Sequence, residues 1–439
     1  MDISSVARFL GCALLATAVP ISSQTSVSKT VRHHRVADAD SSQSLDLERA
    51  EAAIEKKDYA TAESLLQKVV IAQPDHYQAW FDLGFVESSL GKDDSAIAAY
   101  RKSVQAKPDI FESNLNLGLL LAKTGQPDAE QYLQAATRLR PQTQVDEGHS
   151  RAWLGLAHLL EATDPAQALE AYHQAAALRP KDPEPRLSAG FLLEKKNRFA
   201  EAAEQYKEAL TLDPGSQDAL VGLANVSMKG RHFSEAEQYL RKIIAQEPAE
   251  AAPHIQLGRV LAADQKYDEA IPEIQAGLKL APGDVSAQRD LADISLDAGK
   301  YPEAEAQFRL LLKQNPQDPE LHAKLGQSLL KQRNFPDAEQ EFLTAVKLKP
   351  DMGSAYGDLA IAANEAQHYQ VAIQALDARA KYLPEIPVSY FLRATAYDHL
   401  RDYHQAAANY HLFLQVANGK YPDQEWQARH RLITLEPKK

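Results

Sequence analysis

Apolar residues recur along most of the chain at intervals of three and four, and short polar segments interrupt them. The stretches 78–90 and 94–105 show the pattern clearly: Gly91 and Lys92 separate them, and Pro108 closes the second. Such spacing is typical of amphipathic helices that end at glycine or proline. The pattern therefore predicts two antiparallel helices joined by a tight turn.

This pair of helices is repeated along the chain with a period of 34 residues. Ten prolines mark the unit ends, and seven of their nine intervals are 34 residues long. They are Pro74, Pro108, Pro141, Pro180, Pro214, Pro248, Pro282, Pro316, Pro350 and Pro384. A period of this length predicts stacked units that share one continuous core.

Two columns of small residues keep the same period. The first is Ala50, Gly84, Gly118, Ala157, Gly190, Ala224, Gly258, Ala292, Gly326, Ala360 and Ala394. The second is Ala62, Ala96, Ala129, Ala168, Ala202, Ala236, Ala270, Ala304, Ala338, Ala372 and Ala406. Small side chains let two helix axes approach within about 8–10 Å, so both columns are expected where the paired helices cross.

The motif Trp80-x-x-Leu83-Gly84, then Ala96-x-x-x-Tyr100, then Pro108 resembles the tetratricopeptide repeat signature. Glu87 departs from it, because it stands where an aromatic residue is usual. The resemblance covers eleven repeats over roughly 43–418. It implies an all-α fold, a right-handed α-solenoid of antiparallel helix pairs that binds partner proteins on its concave face.

Two regions depart from the regular repeat. Six additional residues at 142–147 predict an irregular joint between the third and fourth repeats. The segment 422–435 carries Trp426, Leu432 and Ile433 and predicts a further amphipathic helix. Because the last repeat of an array would otherwise expose an apolar face, we expect this helix to act as a cap within 419–439.

The amino-terminal residues have the pattern of an export signal. Arg8 precedes the apolar run 9–19, and Ala16 and Ala18 stand before Pro20 as in a cleavage site. We expect residues 1–23 to be a signal peptide and the polar residues 24–42 to be a disordered linker. The protein is then exported, to the periplasm or the medium. An uncleaved membrane anchor is the alternative.

Composition and motifs narrow the function. With 48 Lys and Arg against 60 Asp and Glu, the net charge of −12 argues against nucleic-acid binding and against a polybasic membrane surface. The single cysteine, Cys12, excludes disulfide frameworks and cysteine-based metal centres. No nucleotide-binding, hydrolase or zinc-protease motif occurs. The sequence therefore predicts a protein that is not an enzyme and that uses no cofactor or metal.

A partner site is predicted along one stripe of the first helices. We define the stripe by two residues in each repeat: the residue directly after the small residue of the first column, and the residue four positions before that one. A helix places both beside the packing positions. Its candidate partner-binding residues are Phe81, Phe85, Leu115, Leu119, Phe191, Asn225, Arg259 and Arg289. The apolar members would receive a peptide or helix, and the polar members would orient it. The alternative is that these residues complete packing between repeats.

The function predicted from these observations is an exported scaffold that binds a protein or peptide partner of unknown identity. Two alternatives are a membrane-tethered assembly factor of the envelope and a non-catalytic subunit of an enzyme complex.

Overall fold

A computed structural model describes residues 45–436. Within that range the regular structure is entirely α-helical, as the sequence predicts, and the chain divides into two compact units, up to Ile243 and from Ile244. The predicted signal peptide (1–23) and linker (24–42) lie outside the described residues. Those two assignments and the domain boundary at 418 stay predictions.

The first unit is built from helices α1 to α12, and its boundary falls within the last turn of α12. They are α1 (Leu45–Glu55), α2 (Tyr59–Ala72), α3 (Tyr77–Ser89), α4 (Asp93–Ala106), α5 (Phe111–Lys123), α6 (Ala129–Arg138), α7 (Val145–Leu160), α8 (Pro165–Leu178), α9 (Glu184–Lys195), α10 (Phe199–Leu212), α11 (Gln217–Lys229) and α12 (Phe233–Gln246).

The second unit contains the helices that follow α12. They are α13 (Ala251–Ala263), α14 (Tyr267–Leu280), α15 (Val285–Asp297), α16 (Tyr301–Gln314), α17 (Pro319–Lys331), α18 (Phe335–Leu348), α19 (Gly353–Glu365), α20 (Tyr369–Arg379), α21 (Pro387–His399), α22 (Tyr403–Ala417) and α23 (Pro422–Leu435).

The helices α1 to α22 form eleven consecutive pairs, each with an A helix followed by a B helix. The last helix, α23, packs on α22 and has the bounds that the sequence predicts for the cap. Its Ala428 follows Ala394 by 34 residues and is 0% exposed. The cap therefore occupies the place of the A helix in a twelfth pair.

The small columns lie where the paired helices cross, as predicted. A Cβ atom on Gly84 would lie 2.8 Å from the ring of Tyr100, and one on Gly258 would lie 2.5 Å from Ile274. In the second column Ala96 and Ala304 are fully buried. Real Cβ contacts are not this short, so a larger residue in the first column displaces its partner or separates the helices.

The A and B helices of most pairs are joined through a residue in the left-handed conformation. Gly91 has φ = 75°, and the same place is taken by non-glycine residues such as Gln367 (φ = 66°) and Arg401 (φ = 65°). The next N–H closes the helix by bonding five residues back: that of Lys92 donates to the Glu87 carbonyl and that of Asp402 to the Tyr397 carbonyl. This is the bond of a Schellman motif.

Glycine should improve the turns that now carry other residues. The left-handed conformation costs a non-glycine residue about 1–2 kcal/mol, while glycine costs about 0.5–1 kcal/mol in unfolded-chain entropy. We therefore expect Arg401→Gly to stabilise the protein by about 0.5–1 kcal/mol and raise its thermal unfolding temperature. The matched control Gly91→Ala should lower it. Unchanged melting of both variants would contradict the proposed strain.

The A helix begins with a bond that several residue types can make. The Trp80 Nε1 donates to the Pro74 carbonyl at 2.8 Å. Asn114 donates to the Pro108 carbonyl and Gln288 to the Pro282 carbonyl over the same or a similar distance. The side chain at this position thus ties the A helix to the proline turn before it, which explains why the tryptophan of the signature can be replaced.

The six additional residues at 142–147 change one joint of the first unit. Gln144 adopts a positive φ of 49°, and α7 starts directly after it, so α7 has 16 residues. The inserted segment is held on both sides: the Gln142 N–H donates to Glu112 Oε1, and the His149 ring bonds the Leu139 carbonyl at 2.6 Å. The predicted irregularity is confirmed as a turn followed by a longer helix.

Candidate partner-binding surfaces

The stripe on the A helices is a contact surface between successive repeats. In the second unit three hydrogen bonds link residues 31 positions apart: Arg259 with Asp290, Lys324 with Asp293, and Gln327 with Asp358. Each joins the stripe residue after the small column to the A helix of the following repeat. The residue after the small column therefore faces a neighbouring repeat.

In the first unit three apolar members of the stripe, Phe81, Leu115 and Leu119, are core residues. Phe81 is buried against Tyr100, with ring centroids 5.8 Å apart. Leu115 is 0% exposed, and Leu119 packs so closely on the next repeat that a Cβ on Gly155 would lie 2.6 Å from it. These three side chains are not available at the surface.

The other stripe residues of the first unit differ in exposure. Phe85 and Phe191 are half-buried, and the ring of Phe85 meets Tyr59 edge-on at 6.3 Å. Asn225 is buried. Phe85 and Phe191 are therefore the only members of the predicted apolar set in this unit that keep some exposure.

The two arginines of the stripe, in the second unit, are already paired. Arg259 bonds Asp290 at 2.6 Å, and burial holds the pKa of Asp290 above its ordinary value despite that arginine. Arg289 bonds Asp318 at 2.5 Å. Burial acts to raise the pKa of Asp318, but hydrogen bonds from Arg289 and from backbone N–H groups hold it below its ordinary value. Each arginine of the stripe therefore already has a carboxylate partner within the chain.

The structure thus does not join the eight candidate residues into an open apolar trough with free cations. The trough was expected because the one-turn spacing of Phe81 and Phe85 recurs in Leu115 and Leu119. In the structure Phe81, Leu115 and Leu119 are instead buried in the packing within and between repeats. At those positions the alternative interpretation, packing between repeats, describes what the structure shows. A role of Phe85 and Phe191 in binding stays a prediction.

Buried tyrosines anchor polar clusters beside the stripe in the first unit. The Tyr172 hydroxyl donates to Glu161 Oε1 at 2.5 Å and lies 2.7 Å from His158 Nδ1. Burial and the charge of Glu161 raise the pKa of Tyr172. Burial acts to raise the pKa of Glu161, but bonds from His158 and Tyr172 hold it below its ordinary value. The carboxylate is therefore ionised and the phenol neutral.

Tyr206 occupies a similar place two helices further on. Its ring lies between two glycines, since a Cβ on Gly190 would be 2.7 Å from the ring and one on Gly222 would be 2.4 Å from it. Its hydroxyl donates to Glu194 Oε2 at 3.1 Å, and Lys229 lies 3.6 Å from the other carboxylate oxygen. Burial raises the pKa of Glu194. The cluster fixes the contact between α9, α10 and α11.

Exposed apolar side chains lie elsewhere, and mostly near the end of the second unit. Trp426 is 60% and Ile433 is 70% exposed, and they share a face of α23 because they are seven residues apart. Further large exposed apolar residues of this region are Tyr382, Leu383, Ile386, Leu400, Tyr403, Leu412 and Val416. The sequence showed α23 to be amphipathic but not which of its residues stay uncovered.

Two other kinds of site are absent from residues 45–436. No helix there has the length and apolar character needed to cross a membrane. In the same residues no three His, Cys, Asp or Glu side chains are grouped so as to hold a metal ion.

Family models match most of the described chain. The model for the Cilia and flagella-associated protein 70 middle TPR-like domain matches residues 45–179. Models for the tetratricopeptide repeat match residues 194–257 and residues 157–217, 255–319 and 323–385. The chain belongs to the tetratricopeptide repeat family. The ten helix pairs from α1 to α20 lie in the region that these models match, and α21 to α23 follow it.

Curated relatives share only short stretches with this repeat protein. It is 36% identical over 87 residues to Tetratricopeptide repeat protein 37 of Xenopus laevis, which is 20% of this chain and 6% of that protein. It is 32% identical over 103 residues to the CTR9 homolog of Arabidopsis thaliana, which is 23% of this chain and 9% of that protein. The chain spans less than a tenth of the length of either relative.

Solved structures of repeat proteins resemble it at low identity. The C-terminal part of a TPR repeat-containing protein from Cytophaga hutchinsonii is 20% identical, with a TM-score of 0.46, over 56% of this chain and 99% of that one. YrrB, described as a TPR protein with an unusual peptide-binding site, is 24% identical, with a TM-score of 0.39, over 43% of this chain and 96% of that one. Likeness at this level carries no argument about function.

Proposed function

We propose that this tetratricopeptide repeat protein is an exported, non-catalytic scaffold that binds a protein or peptide partner. The observation that supports the proposal is that the repeats take up all the helices of residues 45–436, which leaves no separate catalytic domain in that range. Stacked repeats expose long surfaces that other proteins bind, and a fold of this kind is typically a scaffold.

The face of α23 that carries Trp426 and Ile433 is the proposed contact surface. Tryptophan is enriched among residues that dominate binding energy, and Trp426 is largely exposed, with its ring beside His430 at 3.9 Å. The stripe supplies no comparable exposed side chain in the first unit, because its apolar members are buried or half-buried.

Partner capture tests the proposed surface. The mature protein is cross-linked in an extract of its native compartment, and the captured protein is identified by mass spectrometry. We expect the double substitution Trp426→Ser and Ile433→Ser to abolish capture of that protein with little change in helicity. The matched control is Leu45→Ser with Ile71→Ser, two residues of the first unit that are equally exposed. Loss of capture in the control alone would contradict the assignment.

The proposal of export depends on residues 1–23. Arg8, the apolar run 9–19 and the pair Ala16 and Ala18 support a cleaved signal. Intact-mass measurement on exported protein decides between cleavage and an uncleaved anchor. A mass that retains residues 1–18 would contradict cleavage and favour the membrane-tethered alternative.

A further inference from the structure

A carboxyl group near the end of α3 is buried, and one of its two oxygens has no hydrogen-bond partner. Glu87 is 6% exposed, and its Oε2 has no hydrogen-bond partner. It occupies the place where the repeat signature usually has an aromatic residue. An ionised carboxylate in such a place loses its hydration without compensation, whereas the neutral acid loses much less. The environment of Glu87 therefore favours the protonated form.

The nearest cation is already bound to another carboxylate. Lys92, in the turn between α3 and α4, places its Nζ 2.6 and 2.7 Å from the two oxygens of Glu63 on α2. Glu63 and Lys92 are the charged groups that act on Glu87. The charge of Glu87, together with that of Asp82 on α3, also raises the pKa of Tyr100 on α4, after the larger effect of burial. The ammonium group of Lys92 thus bonds Glu63 of the preceding repeat, while Glu87 feels the charge of both groups.

The pKa of Glu87 is raised to about 7: burial raises it most, the charge of Glu63 also raises it, and Lys92 acts in the opposite direction. Because the folded protein holds this proton more tightly than the unfolded chain, the contribution to stability is fully present below the ordinary pKa of about 4.5. The contribution is lost as the pH rises to about 7. Near neutral pH, small changes of pH therefore alter the charge of Glu87 at the contact between α2 and α3.

We propose that Glu63, Glu87 and Lys92 form a proton-operated latch between the first two described repeats. When Glu87 is protonated, Lys92 serves Glu63 alone and α2 stays packed on α3. When Glu87 ionises, the two carboxylates repel each other and compete for Lys92, and the pair α1 and α2 opens more often. The apolar contacts of Leu66 and Val69 with Leu83 and Val86 limit this to local opening.

Hydrogen exchange tests the latch in the full-length protein. Protection factors of amides in α1 and α2, corrected for the intrinsic pH dependence of exchange, are measured between about pH 5.5 and 8.5. We expect them to fall by up to about 30-fold, since each pH unit between the two pKa values changes the opening equilibrium by up to tenfold. The midpoint, at which the opening constant reaches half its high-pH value, should lie near pH 7. A constant protection factor over this range would overturn the proposal.

Three substitutions give different expected results. Glu87→Gln should keep α1 and α2 protected at every pH. Glu63→Gln removes the like charge and should move the midpoint to lower pH. Lys92→Met removes the cation and should move the midpoint to higher pH. The assignment would be overturned if the protection factors of Glu87→Gln still depended on pH. It would also be overturned if the midpoints of the other two variants shifted in the opposite directions.

The matched control is Glu194→Gln. Glu194 is also a buried carboxyl group of the first unit, but Tyr206 and Lys229 are its partners. Its substitution should leave the pH dependence of exchange in α1 and α2 unchanged. An equal loss of pH dependence in Glu194→Gln would show that titration of the unit as a whole, and not the latch, controls the opening.

Discussion

Replacing Leu115 by alanine is expected to lower the free energy of unfolding by about 2–5 kcal/mol. Leu115 is 0% exposed and lies in a core that includes Leu119, Leu133 and Phe111. Truncation removes buried methyl groups and leaves a cavity, because the surrounding helices are held by their own contacts. Thermal and chemical unfolding of the two proteins measure the difference.

The control for this experiment is Ile433→Ala on α23. Ile433 is 70% exposed, so its truncation should change stability by no more than about 0.5 kcal/mol. If Leu115→Ala were as harmless as the control, the stripe would be an open surface of the first unit. The trough expected from the sequence would then be restored.

Replacing Gly222 by valine is expected to cost about 1–3 kcal/mol by overpacking. A side chain at this position points into the ring of Tyr206, whose Cζ lies 2.4 Å from the place of the added Cβ. The ring cannot withdraw towards α9, because Gly190 lies against its other edge. The midpoint of chemical unfolding measures the loss.

A second substitution identifies the cause of that loss. Tyr206→Leu removes the ring and its bond to Glu194, so the variant alone should also be destabilised. Combined with Gly222→Val, it should recover part of the stability, because the valine fills the space that the ring leaves. Strictly additive losses would show that the valine acts through something other than the tyrosine ring.

The repeat architecture could be predicted from the sequence because the same pattern of small residues recurs eleven times. The helix pairs and the small columns at the crossings follow from a 34-residue period, and the bounds 422–435 of the cap follow from its amphipathic pattern. A misleading residue in one repeat is outweighed by its equivalents in the others. His322 illustrates this, since it stands in the place of Trp80 yet bonds the Pro316 carbonyl in the same way.

The use of the stripe could not be predicted, because it depends on the residue that faces it from the next repeat. Leu119 is buried partly because Gly155 leaves room for it. A signal for the polar contacts was present, since Arg259 and Asp290, and Asp293 and Lys324, are complementary at a spacing of 31 residues. Read at that spacing, the sequence would have shown these charges to be paired with each other.

Glu87 shows how a departure from the pattern carries information. The sequence marks it as the residue that replaces the usual aromatic, but its burial and its nearness to the Glu63–Lys92 pair come from the packing of α2 on α3. A carboxyl group at a position that is usually apolar therefore indicates a buried acid. The raised pKa of Glu87 comes from the packing of α2 on α3, and the sequence motif alone does not show it.

Leu115 of the stripe is sealed between repeats while Ile433 on α23 is open to solvent, and thiol labelling measures this difference directly. Cys12 is the only cysteine of the chain, so single cysteines can be placed at Leu115 and at Ile433 in a Cys12→Ser background. We predict that the cysteine at 433 reacts with a maleimide at the rate of a free thiol. The cysteine at 115 should react at least about 100-fold more slowly, because it reacts only when the repeats open. Equal labelling rates at the two positions would show that the stripe is open at position 115.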